Sequence, residues 1–308
     1  MKNFADLFPD RRLVLLVENE LNLNSFGISN LEVFQTPPLN ETWSLIKKTL
    51  QHDLSFRNEF WFNSIARFNA IYDYMQKQHL NRVLHIESDV TCLPNFPFSK
   101  FEALGSKLGF PLQGSGQGIA SLFFVGSLQV LADFLDYCLV EVLRNPMSTD
   151  MTILSNFADD YNDEVVILPT LADVNDIRPN LSHYFEGVFD SISIGQYFFG
   201  IDGRNARGLR KLFATDSTHY VQPGEFQFEW KESSLIAMNE RFQVEVFNLH
   251  IHSKDKEALK LNSLKKKFKK RSMQSIKGEQ LEFVFTDFMK SIFYLVKRRV
   301  KAIKVVKN

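Results

Sequence analysis

Residues 84–96 read LHIESDVTCLPNF, and this stretch decides how the rest of the chain is parsed. An apolar strand runs into Glu87 and Asp89, and the two-residue side-chain period of a strand puts both carboxylates on one face. Hard divalent cations take oxygen ligands presented in this way. In an α/β sheet, the carboxyl end of a strand is also the edge at which ligands bind.

Upstream, Trp61, Ile65, Phe68, Tyr72 and Met75 recur at helical spacing and predict an amphipathic helix over residues 58–77. Residues 13–18 (LVLLVE) predict a buried strand, and residues 31–34 a shorter one ended by Pro37 and Pro38. Downstream, Pro94 and Pro97 break the chain, and residues 101–108 suit one or two helical turns. A Gly-rich loop at Gly114, Gly116 and Gly118 then leads into another apolar strand. Helices are expected over residues 128–143 and 150–157, the second with Ser148 and Thr149 as candidate caps. Residues 165–168 form a strand closed by Pro169.

Residues 189–205 (FDSISIGQYFFGIDGRN) have no clean period and predict a structured loop or a short helix with turns. Residues 226–230, 235–238 and 243–252 read as strands of a meander, and no internal repeat is present. The expectation is an α/β fold that alternates strands and helices through the first 170 residues and then becomes more antiparallel.

A chain of 308 residues can bury a substantial core. Cys92 and Cys138 show no motif spacing, which argues against a disulfide framework, and Cys92 reads as a small buried hydrophobe beside the acidic pair. Residues 1–19 hold no long apolar segment, so the expectation is a cytosolic protein without signal peptide or spanning helix. The sequons at Asn40 and Asn180 would then carry no glycan. Formal charge balance hides an asymmetry: residues 254–308 hold 17 Lys and Arg against 5 Asp and Glu, a balance of +12, so the preceding residues carry −12.

A second ligand-like feature is NLHIHSK, residues 248–254, where His250 and His252 share a strand face and either imidazole could join a carboxylate-bound divalent ion. In residues 195–205, Gln196, Asp202, Arg204 and Asn205 are sugar-binding residue types, and Tyr197, Phe198 and Phe199 offer an apolar face. Arg67 lies one position from the apolar stripe of its helix, either as a contact to a nucleotide or diphosphate or as an exposed helix charge. The glycines at 114–118 either let backbone approach a ligand closely or are ordinary turns.

Taken in order, an acidic pair after a buried strand (Glu87, Ser88, Asp89), a Gly-containing loop (114–126), an acidic residue at a helix start (Asp150) and a late His resemble the GT-A class of nucleotide-sugar glycosyltransferases. The strings RFNAIYDYM, LHIESDV, GQYFFGIDGRN and NLHIHSK are also similar to those of uncharacterised bacterial and viral glycosyltransferases. The resemblance extends over most of residues 10–254 and leaves the basic tail outside. It implies a GT-A-like domain over residues 1–254, built on a Rossmann-type mixed sheet flanked by helices, and a separate basic amphipathic helical tail over residues 255–308.

The same resemblance implies transfer of a sugar, dependent on Mn²⁺ or Mg²⁺, from a nucleotide-sugar donor to a saccharide or lipid-linked saccharide acceptor. Asp89 matches the last acidic residue of the family's D-x-D motif, which binds the metal on the donor diphosphate. Glu87 matches the first, which reaches the donor ribose or a metal-bound water; the motif here is E-S-D, and the extra methylene of Glu weakens the case for direct ribose contact. Asp150 corresponds to the acidic residue that meets the acceptor and, in inverting members, removes its hydroxyl proton, with Asp190 and Asp202 as competing candidates. A helix N-terminus keeps such a carboxylate at low pKa unless burial opposes it. His252, or else His250, matches the late metal ligand, and Lys254 would neutralise the leaving diphosphate as a point charge.

From about residue 279 the tail carries an apolar stripe of Leu281, Val284, Phe285, Phe288, Ile292, Leu295 and Val296 behind the basic run LKKKFKKR. It suits an anionic membrane surface, or a terminal helix with a solvated basic face. Nucleic acid phosphates would also attract it, but no recognisable nucleic-acid module accompanies it. Two other readings compete with glycosyl transfer. A nucleotidyltransferase on a related sheet requires a phosphate-cradling Gly-rich loop after the first strand, where VENELNLNSF has none. A non-enzymatic membrane-peripheral or nucleic-acid-binding module would lose its function with residues 255–308.

Overall fold

The computed structural model describes residues 2–18, 27–113, 116–171, 183–199 and 226–251. The chain forms two compact units, one of Met1–Ser88 with Phe96–Glu186 and the other of Asp89–Asn95 with Gly187–Asn308. The expected boundary at residue 254 and the basic tail beyond it lie outside the described residues.

The first unit begins with α1 (Lys2–Leu7), then β1 (Leu13–Val17) and β2 (Leu31–Gln35), which pair in parallel from Leu13 opposite Leu31 to Val17 opposite Gln35. The Asn30 side-chain amide donates to the Arg11 carbonyl at 2.8 Å and ties the entrance of one strand to the other. Helix α2 (Glu41–Thr49) starts where the Asn40 side chain accepts the Trp43 N–H at 3.0 Å, meeting a donor that the first helical turn leaves unpaired.

Helix α3 (Phe60–Lys77) is entered through three successive left-handed residues, Arg57, Asn58 and Glu59, with φ of 52°, 55° and 59°. The expected amphipathic stripe is present but rotated: Phe62, Ile65, Phe68, Ile71 and Met75 are buried, whereas Trp61 and Tyr72 are only half-buried. Strand β3 (Val83–Ile86) follows, and the next strand, β4 (Val90–Cys92), already belongs to the second unit. A 3₁₀ segment at Phe98–Leu104 replaces the helical turns expected over 101–108, because Leu108 opens β5 (Leu108–Pro111).

Strands β3, β6 (Leu122–Val125), β5 and β7 (Val165–Leu168) form a four-stranded sheet in that order. Only the β5–β7 neighbours run parallel; β3–β6 and β5–β6 are antiparallel. The described strands thus form several small sheets, two of them of mixed direction, within an α/β arrangement flanked by helices.

Helices α4 (Leu128–Arg144) and α5 (Asp150–Asp160) share a hydrophobic core with α3 and this sheet. Phe134 of α4 meets Phe68 of α3 at 5.0 Å between ring centroids and Phe157 of α5 at the same distance, both edge to face. All three rings are fully buried, and each contributes about 2–3 kcal/mol by leaving water. This core fixes α3 and α5, which carry two charged site residues, Arg67 within α3 and Asp150 at the start of α5.

In the second unit, β8 (Gly187–Val188) is followed by α6 (Ser193–Phe199), then β9 (Gln227–Lys231), β10 (Ser234–Met238), β11 (Gln243–Val246) and β12 (Asn248–His250). Strands β9, β10 and β11 make the expected antiparallel meander, and β8 joins β11 in parallel. The strand expected over 243–252 is interrupted at Phe247. Before it the chain pairs with β10 and β8; after it β12 pairs antiparallel with β4, His250 lying opposite Val90. Among the described residues, no helix is long and apolar enough to cross a membrane.

Candidate functional site

The acidic pair is not on a strand. β3 ends at Ile86 and β4 begins at Val90, so Glu87, Ser88 and Asp89 form the turn between them, and the two-residue side-chain period does not govern their directions. The Glu87 N–H donates to the Ser121 carbonyl at 3.0 Å, and the Asp89 carbonyl accepts the Ile251 N–H at 2.7 Å. Each acidic residue therefore has its own backbone anchor.

In the first unit, Arg67 projects from α3 and is 19% exposed at its side chain. Its Nε donates to the Ser64 carbonyl at 2.7 Å, its Nη1 to Glu87 Oε1 and its Nη2 to Asp150 Oδ2. The exposed helix charge considered for Arg67 is thus replaced by a guanidinium bridging two carboxylates. Asp150 is the first residue of α5, after a Thr149 cap whose side chain accepts the Thr152 N–H while Thr152 Oγ1 accepts the Thr149 N–H. Ser148 is buried beside this cap but does not supply it.

Asp150 is only 6% exposed, and burial raises its pKa above the ordinary carboxylate value; Arg67 opposes the rise and Glu87 adds to it. The low pKa expected from a helix N-terminus is therefore overruled by desolvation. Nearby on β3, His85 has a shielded Nε2 with no hydrogen-bond partner among the described residues. Burial first, and then the Arg67 charge, lower its pKa to about 4.

The glycine loop beside α5 has a packing reason. A Cβ on Gly118 would lie 2.4 Å from Leu154 Cβ, and the Gly118 N–H donates to Ser155 Oγ at 2.9 Å. Gly118 thus serves the contact with α5, and Gly116, at φ +86°, turns the chain. Gly114 lies outside the described residues.

The second unit builds a different arrangement around Asp89 and His250, both buried. His250 Nδ1 is 2.6 Å from the Ser191 carbonyl oxygen. A carbonyl only accepts, so Nδ1 carries the proton of this hydrogen bond. The remaining ring nitrogen, Nε2, lies 3.6 Å from Asp89 Oδ1, too far for a direct hydrogen bond. Two ligands about 2.1 Å from one small divalent ion are at most about 4.2 Å apart, so this pair fits around such an ion without rearrangement.

Asp190 is buried on the approach to α6 and accepts three backbone N–H groups: Ile194 at 2.9 Å, Gly195 at 2.7 Å and His250 at 2.9 Å. Burial raises its pKa, against the lowering effect of these bonds and of His250. The Asn248 side chain accepts the Asp190 N–H at 3.1 Å and donates to its carbonyl at 3.0 Å. These bonds commit Asp190 to holding backbone. Gln196 is buried on α6. Cys92 is buried and burial pushes its thiol pKa far up, in keeping with a small core residue.

The structure therefore brings together Arg67, Glu87 and Asp150 in one unit, and Asp89 and His250 in the other. His252, Lys254 and Asp202, with Arg204 and Asn205, lie outside the described residues. Sequence reading missed Ser191 and Asn248, which act on His250 and Asp190 through a backbone carbonyl and a side-chain amide 58 positions from its partner. No local pattern signals either. No known protein family, curated protein or solved structure matches this chain.

Proposed function

We propose that this chain is a metal-dependent glycosyltransferase with a GT-A-like domain, moving a sugar from a nucleotide-sugar donor to a saccharide or lipid-linked saccharide acceptor. The observation that carries this reading is the buried Asp89–His250 pair, in which a carboxylate oxygen lies 3.6 Å from Nε2, the ring nitrogen opposite the Nδ1 that bonds the Ser191 carbonyl. The order of motifs resembling the GT-A class supplies the reaction type.

Asp89 and His250 would hold a Mn²⁺ or Mg²⁺ ion, which as a Lewis acid would offset the charge developing on a departing nucleoside diphosphate. Asp150 is the acceptor-side carboxylate. Its burial favours holding a proton, the Arg67 cation favours releasing it, and that balance suits a group that takes a proton from an acceptor hydroxyl. Arg67 also pairs with Glu87, so one guanidinium orients both carboxylates. The basic tail, with 16 Lys and Arg against 5 Asp and Glu over residues 255–308, would hold the enzyme against an anionic membrane surface on the cytoplasmic side, near lipid-linked acceptors.

The test is binding and hydrolysis of a panel of nucleotide sugars with Mn²⁺, Mg²⁺ or chelator, on the native protein and on folded Asp89→Ala. Metal-dependent turnover of one donor that disappears in the variant supports the reading and identifies the sugar. Absence of metal-dependent binding to every donor overturns it.

A further inference from the structure

The segment from Asp190 to Gly195 contributes three constraints to one histidine. The Ser191 carbonyl takes the Nδ1 proton of His250 at 2.6 Å, and the Asp190 carboxylate takes the His250 backbone N–H at 2.9 Å while also receiving the Ile194 and Gly195 N–H groups. Gly195 permits the approach: a Cβ there would lie 1.8 Å from the His250 carbonyl oxygen. Asn248 fixes Asp190 from the other side through both of its amide atoms. Here the ring and the backbone N–H are both held by the same short segment, whose Gly195 also packs closely against the backbone carbonyl.

We propose that Asp190 and Ser191 lock His250 in the Nδ1–H tautomer with the Nε2 lone pair directed at Asp89, and that Asp190 is the positioning residue of this holder. A metal-binding imidazole that donates its other N–H to a carbonyl or carboxylate has a fixed ring orientation and a more basic ligating nitrogen. Asp190 never touches the ion; it sets where the ring stands by gripping the backbone of β12 and the start of α6 together. The inference deepens the metal-dependent reading above and rests on it for its purpose, but the tautomer is a property of the protein without metal.

Two measurements on the full chain test it. Long-range ¹H–¹⁵N spectra of the histidine rings in metal-free native protein at pH 8, with His250 assigned from its loss in His250→Gln, are expected to show Nδ1 protonated and Nε2 unprotonated. An Nε2–H tautomer, or averaging between the two, overturns the proposal even if every variant fails to fold. Titration of Mn²⁺ by electron paramagnetic resonance is expected to show binding weakened about 10-fold or more in folded Asp190→Asn. Mn²⁺ affinity equal to native in that variant overturns the positioning role. A locked tautomer in native protein that binds no Mn²⁺ supports the holder and overturns the metal reading under Proposed function, so the two fail separately.

Discussion

Arg67 on α3 and Asp150 at the start of α5 are paired across 83 positions of sequence, and the same guanidinium also holds Glu87. A helix from one side of the acidic turn and a helix from far beyond it thereby share one charge.

Replacing Arg67 with Met leaves Asp150 buried without its cation. Truncating one partner of a buried pair costs about 3–5 kcal/mol, and the partial exposure of Arg67 places this case near the lower figure. Asp150 already has a raised pKa, so its contribution to stability is complete below the unfolded carboxylate pKa and is lost as pH rises through the folded value. Loss of Arg67 raises that pKa further and enlarges the loss at neutral pH. Urea unfolding of native and variant protein should show a deficit at pH 7.5 that shrinks at pH 5; equal deficits would refute the assignment.

His85 gives the opposite pH dependence. Its pKa is lowered to about 4, so its contribution is complete above the unfolded histidine pKa near 6.5 and is lost as pH falls through 4. His85→Gln should flatten the stability profile between these limits by about 3 kcal/mol. Chemical denaturation at half-unit pH steps measures it, and an unchanged acid slope would remove His85 from the account.

Gly195→Ala places a methyl group 1.8 Å from the His250 carbonyl oxygen and 3.1 Å from Asp190 Oδ2. Both neighbours belong to the holder, so α6 must move away from β12. The expected cost is about 3 kcal/mol, at the upper end for overpacking, read by thermal unfolding. A variant within 0.5 kcal/mol of native, roughly the scale of a neutral surface substitution, would show that α6 yields freely.

Asp150→Asn should keep metal-dependent donor binding while lowering transfer to acceptor about 100-fold or more, the usual scale for a positioned proton acceptor. Steady-state transfer and calorimetric donor titration, run on one preparation, separate the effects. Parallel loss of donor binding would place Asp150 on the donor side instead.

Local pattern predicted the elements it governs. LVLLV, VVIL and the apolar spacing of residues 128–143 led directly to β1, β7 and α4, because burial and period act over a few residues. The acidic pair was found but misplaced, since the i, i+2 rule holds within a strand and the chain turns at Ser88. Nothing in QVEVFNLHIH marks Phe247 as an interruption: the alternation continues through it, while hydrogen bonding passes from β10 and β8 to β4. Asp150 shows the same limit in its charge, where tertiary burial outweighs the helix terminus. The hold of Asp190 on His250, spanning 60 positions, is long-range and has no local signature.

The placement of residues 89–95 in the second unit also sets an order in time. Asn95 donates to Glu245 across 150 positions, and β4 finds its partner only when β12 has been made. At roughly 5–20 residues per second, a ribosome needs about 8–30 s to cover that interval. Throughout it, Asp89 has been synthesised and His250 has not. The paired site is therefore a late product of synthesis, and a chain that terminates ahead of β12 carries its first unit in full yet has no histidine for Asp89 to meet.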